Sequence, residues 1–234
     1  MIPIERVGLK SQTMRTLSRR QARVDAHPDP SGFAVTNWRG FRGKARDEVL
    51  SALQSMCSGL ERCMYCEDSQ GTDVDHFRPK VDYPDWTYRW ENYTLACSRC
   101  NSNHKRDLFP TRGDKALLID PTRVDPFDHL ALSITTGLYV GRDEVGRASI
   151  DVFGLNREIC VRGRRMAWIA LCSLIRDYED ASEDSRAEIL ETCRQFPFQG
   201  VRRWLAIVLS GGDRTQAVPS DVRAIVEANP VLTD

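Results

Sequence analysis

Between Ala45 and Leu60 the apolar residues Val49, Leu50, Leu53 and Met56 recur at the spacing of one helical face, and Gly59 is placed to stop the helix they predict. Upstream, Ser11 is a plausible cap for a basic helix running to Ala26, with Arg15, Arg19, Arg20 and Arg23 at helix-compatible spacing. The stretch "HPDPSG", with two prolines and a glycine, reads as a break between the two. Toward the C-terminus a long helix is predicted from Arg157 to Ala181, followed by shorter ones in "DSRAEILETCRQF" and "PSDVRAIVEANP". From Ala116 to Asn156 short apolar runs alternate with Gly and Asp-Pro punctuation, the pattern of a few short strands.

The segment from Cys63 to Pro110 fits neither pattern. It is aromatic, rich in turns, and concentrates His, Asn and Cys, so chemistry is expected there. The chain therefore divides into a helical region at 1–59, a central module at 60–112, and a region of short strands and then helices at 113–234, an α+β protein with helical flanks.

With 234 residues, 41% of them hydrophobic, the chain has enough apolar mass for a real interior. Its formal net charge is +0, which excludes a global attraction to nucleic acid or anionic membrane and makes any polyanion site local. The first twenty residues lack the apolar run of a signal peptide, and no stretch approaches the ~20 apolar residues needed to span a bilayer. A cytoplasmic protein without membrane contact is the expectation.

That expectation decides how the eight cysteines are read. Without export, closely spaced cysteines point to metal or thiol chemistry rather than disulfides, and no βαβ pattern surrounds them to support a redox role. Cys63 and Cys66 form one Cys-x-x-Cys knuckle, and Cys97 and Cys100 a second, about thirty residues later. Two such knuckles can present four thiolates tetrahedrally to a structural Zn²⁺. Four unligated buried cysteines would leave the shared spacing unexplained. Cys57, Cys160, Cys172 and Cys193 sit among apolar neighbours and read as small core residues.

Four thiolates saturate zinc, so catalysis needs a second site. Asp75, His76 and Asn92 lie between the knuckles, and Asn101, Asn103, His104 and Lys105 follow the second one. A carboxylate with an amide or imidazole can bind a hard divalent ion, while a histidine left off the metal takes a proton from water.

Asp75-His76, then Asn92, then Cys97-x-x-Cys100-Asn101 resembles the ββα-metal motif of HNH endonucleases, with Asn92 and Asn101 nine positions apart (101 − 92). The final Asn makes it a His-Asn-Asn variant. The resemblance implies His76 as general base, Asp75 and Asn101 as ligands of one catalytic divalent ion (Mg²⁺, Mn²⁺ or another), and Asn92 as the residue that orders the loop orienting His76. His104 is an alternative ligand, since positions 101, 104 and 105 share a face on a helix. Arg78, Lys80, Arg99, Lys105 and Arg106 form a local positive patch able to hold phosphates, although each also reads as solvated surface charge. Trp90 and Leu95 are expected in the module's core, leaving Trp86 or Tyr88 to stack on exposed bases. Arg162, Arg164 and Arg165 are a second concentration that reaches toward a nucleic-acid backbone. His27 and His129 receive no role.

The longer runs "CMYCEDSQGTDVDHFRPK" and "WENYTLACSRCNSNHKRDLFP", with "LLIDPT" and "GLNRE", resemble an HNH subfamily that includes PtuB subunits of Septu-type anti-phage systems and retron-associated nucleases. This implies cleavage of nucleic acid, DNA in the first instance, in bacterial defence beside an ATPase partner. Two rival classes are a non-catalytic zinc-stapled nucleic-acid-binding module and a structural adaptor.

Overall fold

The computed structural model describes residues 1–211 and 217–233. The first periodic stretch folds as α1 (Ser11–Asp25), burying Leu17 and Val24, and the second as α3 (Lys44–Met56), burying Val49 and Leu53. Between them the expected break is instead the start of a helix, α2 (Pro30–Arg39). Asp29 caps it, accepting the Gly32 N–H at 3.0 Å, and Pro30 occupies the first turn, where its missing N–H costs nothing.

Two strands, β1 (Asp73–His76) and β2 (Tyr93–Ala96), pair antiparallel with Asp75 opposite Thr94 and His76 opposite Tyr93. Both faces of this ribbon are covered. Val74, Tyr93 and Leu95 belong to a core shared with α1, α2 and α3, while Ala96 joins a second core built with the C-terminal region. Because side chains alternate along a strand, Val74 and His76 meet the N-terminal helices, and Asp75 meets Tyr65 on the other side. The segments expected as three regions thus share two cores, each drawing on the central module.

After β2 the chain enters a π-helix, Arg99–Lys105, closed by the Arg106 N–H donating to the Asn101 carbonyl at 2.7 Å. Hairpins β3–β4 (Thr111–Arg112, Lys115–Ala116) and β5–β6 (Leu130–Ser133, Leu138–Gly141) follow, with the short α4 (Pro126–His129) between them. The stretch expected only as strands also contains a helix, α5 (Glu144–Phe153). Asp143 caps its start, and Gly154 ends it in the left-handed conformation. Then come α6 (Glu158–Asp180), α7 (Glu183–Gln195), α8 (Gln199–Gly211) and α9 (Ser220–Ala228). Among the described residues no helix is long and apolar enough to cross a membrane.

Candidate functional site

The two knuckles converge at one end of the β1–β2 ribbon. The ligand atoms of Cys63, Cys66, Cys97 and Cys100 all lie within 4.8 Å of one another, and the Cys66 and Cys97 sulfurs are 3.8 Å apart. A tetrahedral site with Zn–S bonds of about 2.3 Å places its sulfurs about 3.8 Å apart, so the cluster fits zinc with no free position. Arg157, at the start of α6, donates through Nη1 to the Cys100 sulfur at 3.6 Å, while its Nη2 is buried without a hydrogen bond. A guanidinium there offsets the negative charge of four thiolates. Cys160, one turn on, is fully buried in the core, as expected.

At the other end of β1 an open cavity of about 430 Å³ is lined by Asp75, His76, Lys80, Asn101 and Arg106, with Trp38 from α2. His76 is buried, its ring edge-on to Trp38 at 4.3 Å between centroids. Its Nε2 lies 3.0 Å from the Thr87 carbonyl oxygen. A carbonyl only accepts, so Nε2 carries the proton and Nδ1 the lone pair, with no protein partner for Nδ1 among the described residues. Burial first, and then the positive charge of Lys80, hold the imidazole well below its usual pKa. Burial here therefore keeps the ring neutral, with a lone pair available to accept a proton, though it makes the ring a weaker base.

The Thr87 carbonyl is itself held in place. Asn92 is buried, accepts the Arg78 N–H at 2.8 Å, and donates to the carbonyls of Arg78 at 3.1 Å and Trp86 at 2.9 Å. It staples both ends of the loop that faces His76.

Asp75 is buried and bonded through both oxygens. Oδ2 accepts from the Tyr65 hydroxyl at 2.7 Å, and Oδ1 from Lys105 Nζ at 3.1 Å. Tyr65 spends its one proton on Asp75, so the Thr94 hydroxyl, 2.7 Å away, donates to Tyr65. Asn101 donates through Nδ2 to Asp73 at 3.1 Å, and its side-chain Oδ1 has no protein partner among the described residues. A carboxylate and an amide oxygen on one polar cavity form a hard-oxygen donor set, which fits a divalent ion such as Mg²⁺ or Mn²⁺.

Residues 63–107 match the family model for HNH endonuclease. This segment is an HNH endonuclease domain. The chain is also similar to the Septu protein PtuB of Bacillus mycoides (strain KBAB4), 28% identical over 149 residues, 50% of this chain and 50% of the relative. It is 32% identical over 101 residues to the Septu protein PtuB of Bacillus thuringiensis, covering 41% of this chain and 37% of that protein. The chain spans half or less of the length of these curated relatives.

Within the HNH domain, Asp75, His76 and Asn101 line one cavity, while Asn92 lines a neighbouring one with Arg78 and Trp86. His104 does not line the first. Its ring packs on Gly154, where a Cβ would come within 2.5 Å of Cε1. A π-turn advances less per residue than an α-turn, which brings residue 105 close beneath 101 and swings 104 away. The expectation of Lys105 as a nucleic-acid contact is corrected: it is fully buried on Asp75, because the π-turn points it inward. Of the remaining basic residues, Lys80 and Arg106 line the cavity and Arg99 is exposed. Arg78 is caged by the rings of Trp86, Tyr83 and Phe109 beside a neighbouring cavity.

Trp90 and Leu95 lie in the core, as does Tyr88, which removes it as a base-stacking surface; Trp86 stays half-buried. Arg164 is buried and donates to the carbonyls of Gly137 and Leu155, so only Arg162 and Arg165 of that cluster face outward. Sequence reasoning missed Asp73, Tyr65 and Trp38. Asp73 had a signal, since it lies two residues before Asp75 on the same strand face. Trp38 had none, because it comes from a helix outside the motif.

Proposed function

We propose that the protein is a divalent-metal-dependent nuclease that hydrolyses phosphodiester bonds, with DNA as substrate, in defence against phage. The observation that carries this reading is His76, a neutral imidazole whose Nε2–H is fixed on the Thr87 carbonyl, whose Nδ1 has no protein partner among the described residues, and which lines one cavity with Asp75 and Asn101. In this reading Nδ1 takes the proton of the attacking water. Lys80 and Arg106 at the cavity hold the phosphate oxygens. Asp75 and Asn101 hold the cation, which when bound supplies Lewis-acid stabilisation of the charge on the phosphate and leaving oxygen. The four cysteines hold Zn²⁺ purely as a staple. Similarity to Septu PtuB proteins supports the defence role, and the subfamily resemblance adds an ATPase as partner.

The test is incubation of wild type and His76→Ala with supercoiled plasmid in EDTA, Mg²⁺ or Mn²⁺, with zinc quantified in both. Metal-dependent nicking or linearisation by wild type, reduced at least ~10²-fold in the variant at equal zinc, is the expected result. Nucleic-acid binding without cleavage, unchanged by His76→Ala, would instead identify a zinc-stapled binding module.

A further inference from the structure

Lys105 is a buried cation directly behind Asp75 that the mechanism above leaves idle. Its Nζ has no exposure to solvent and lies 3.1 Å from Asp75 Oδ1 and 2.6 Å from the His76 carbonyl oxygen. Two of its three donors are thus spent on the backbone and side chain of the two residues that carry the chemistry. Asp75 enters the site already paired, with Tyr65 on one oxygen and Lys105 on the other. A second cation on this carboxylate is opposed by the first.

We propose that Lys105 is a positioning residue, the resident counter-ion of Asp75, which orients the carboxylate and sets a weak affinity for the divalent ion. The proposal rests on the reading that Asp75 and Asn101 hold that ion. In this arrangement the ammonium keeps a buried carboxylate compensated while no metal is bound, which an unpaired carboxylate would not be. Lys105 also ties the Asp75 side chain to the His76 main chain, so ligand and base keep one relative placement through binding and release of the ion. The repulsion between an ammonium and a divalent ion about 5 Å apart lowers affinity more than tenfold even at the dielectric of bulk water. Neutralising Lys105 removes that repulsion, whereas a purely structural lysine would leave metal affinity unchanged or weaken it.

The test is Mn²⁺ binding to zinc-loaded, full-length protein without nucleic acid, followed by electron paramagnetic resonance of the free ion. Wild type, Lys105→Gln, Lys105→Arg and the double variant Lys105→Gln/Asp75→Asn are compared. The expected result is at least tenfold tighter binding by Lys105→Gln, wild-type affinity in Lys105→Arg, and loss of the tight site in the double variant. Equal or weaker binding by Lys105→Gln, tightening in Lys105→Arg as well, or no binding in any variant would overturn the proposal. Should Lys105→Gln fail to fold, lysine ¹⁵N resonances of wild type decide instead. One exchange-protected ammonium signal should shift as Mg²⁺ is titrated, and a signal that stays fixed while the ion binds refutes the proposal. Tight Mn²⁺ binding by Lys105→Gln without any cleavage by wild type would uphold the counter-ion and sink the nuclease reading; cleavage with affinity indifferent to Lys105 would do the reverse.

Discussion

Replacing Asn92 by alanine separates a loop staple from a group that touches substrate. The side chain is buried and makes three hydrogen bonds to main-chain groups, the Arg78 N–H and the carbonyls of Arg78 and Trp86. The Trp86 carbonyl keeps a longer bond from the Arg89 N–H at 3.4 Å, so alanine orphans chiefly the two groups of Arg78. At about 1–3 kcal/mol for each unsatisfied buried group, the cost is about 2–6 kcal/mol, a large share of a total stability of about 5–15 kcal/mol. For a chain of this size that lowers Tm by roughly 5–20 °C. The loop released is the one that presents the Thr87 carbonyl to His76 Nε2, so the ring loses its orientation and kcat should fall about 10²-fold, as for a misplacement of about 1 Å. Asn92→Asp should fare no better, because its carboxylate keeps the Arg78 N–H but faces two carbonyl oxygens. Thermal unfolding, hydrogen exchange across residues 78–92 and plasmid nicking are the assays. Lost cleavage with unchanged Tm and unchanged exchange would refute the reasoning and place Asn92 in direct contact with substrate.

Cys97→Ser removes one thiolate from a cluster that ties the first knuckle to the end of β2, so bound zinc should drop from one per chain to none, with a large fall in Tm; unchanged zinc and Tm would refute the staple. The pH profile of kcat/KM follows from His76. Burial, and after it the charge of Lys80, hold its pKa well below 6.5, and a cation at Asp75 acts in the same direction, so the base stays neutral and activity should remain flat from pH 7.5 down through 6.5, falling only in more acid solution. Lys80→Ala removes a positive neighbour, which raises the pKa and should move the acid limb to higher pH; a wild-type limb at or above 6.5 would contradict the burial argument.

Helical periodicity made α1, α3 and α6 legible because each buries one face and leaves the other in water. It failed for α2 and α5 because capping, not periodicity, sets their limits: Asp29 with Pro30 at the first, Asp143 and Gly154 at the second. Proline and glycine were read as punctuation where they mark ends of helices. Strands β1 and β2 show no alternation at all, since every position from Val74 to His76 and from Tyr93 to Ala96 is buried, and only the spacing of Asp75, His76, Asn92 and Asn101 betrayed the ribbon. Lys105 was misread for a related reason. In "NHKRD" a lysine looks like surface charge, and the π-turn that carries it inward leaves no mark in a local pattern.

The burial of both ribbon faces bears on what the HNH domain is worth alone. One face, with Val74, Tyr93 and Leu95, is covered by the N-terminal helices, which also bring Trp38 against the ring of His76. The other carries Tyr65, whose ring stacks on Phe153 of α5 at 4.0 Å while its hydroxyl holds Asp75. Arg157, just before α6, donates to the sulfur of Cys100. His76, Asp75 and the cysteines of the 63–107 segment therefore have partners outside it, His76 in α2, Asp75 through Tyr65 in α5 and Cys100 at the start of α6, whereas Asn92 and Asn101 bond to Arg78, Trp86 and Asp73 within it. A motif scan finds the ligands and the base, but part of the covering of His76, by Trp38, and the support behind Tyr65, by Phe153, come from the flanks. In the proposed reading, changes in α2 or α5 should then act on the pKa of His76 and the metal affinity of the site without touching a residue of the motif, which makes the flanks determinants of the proposed chemistry.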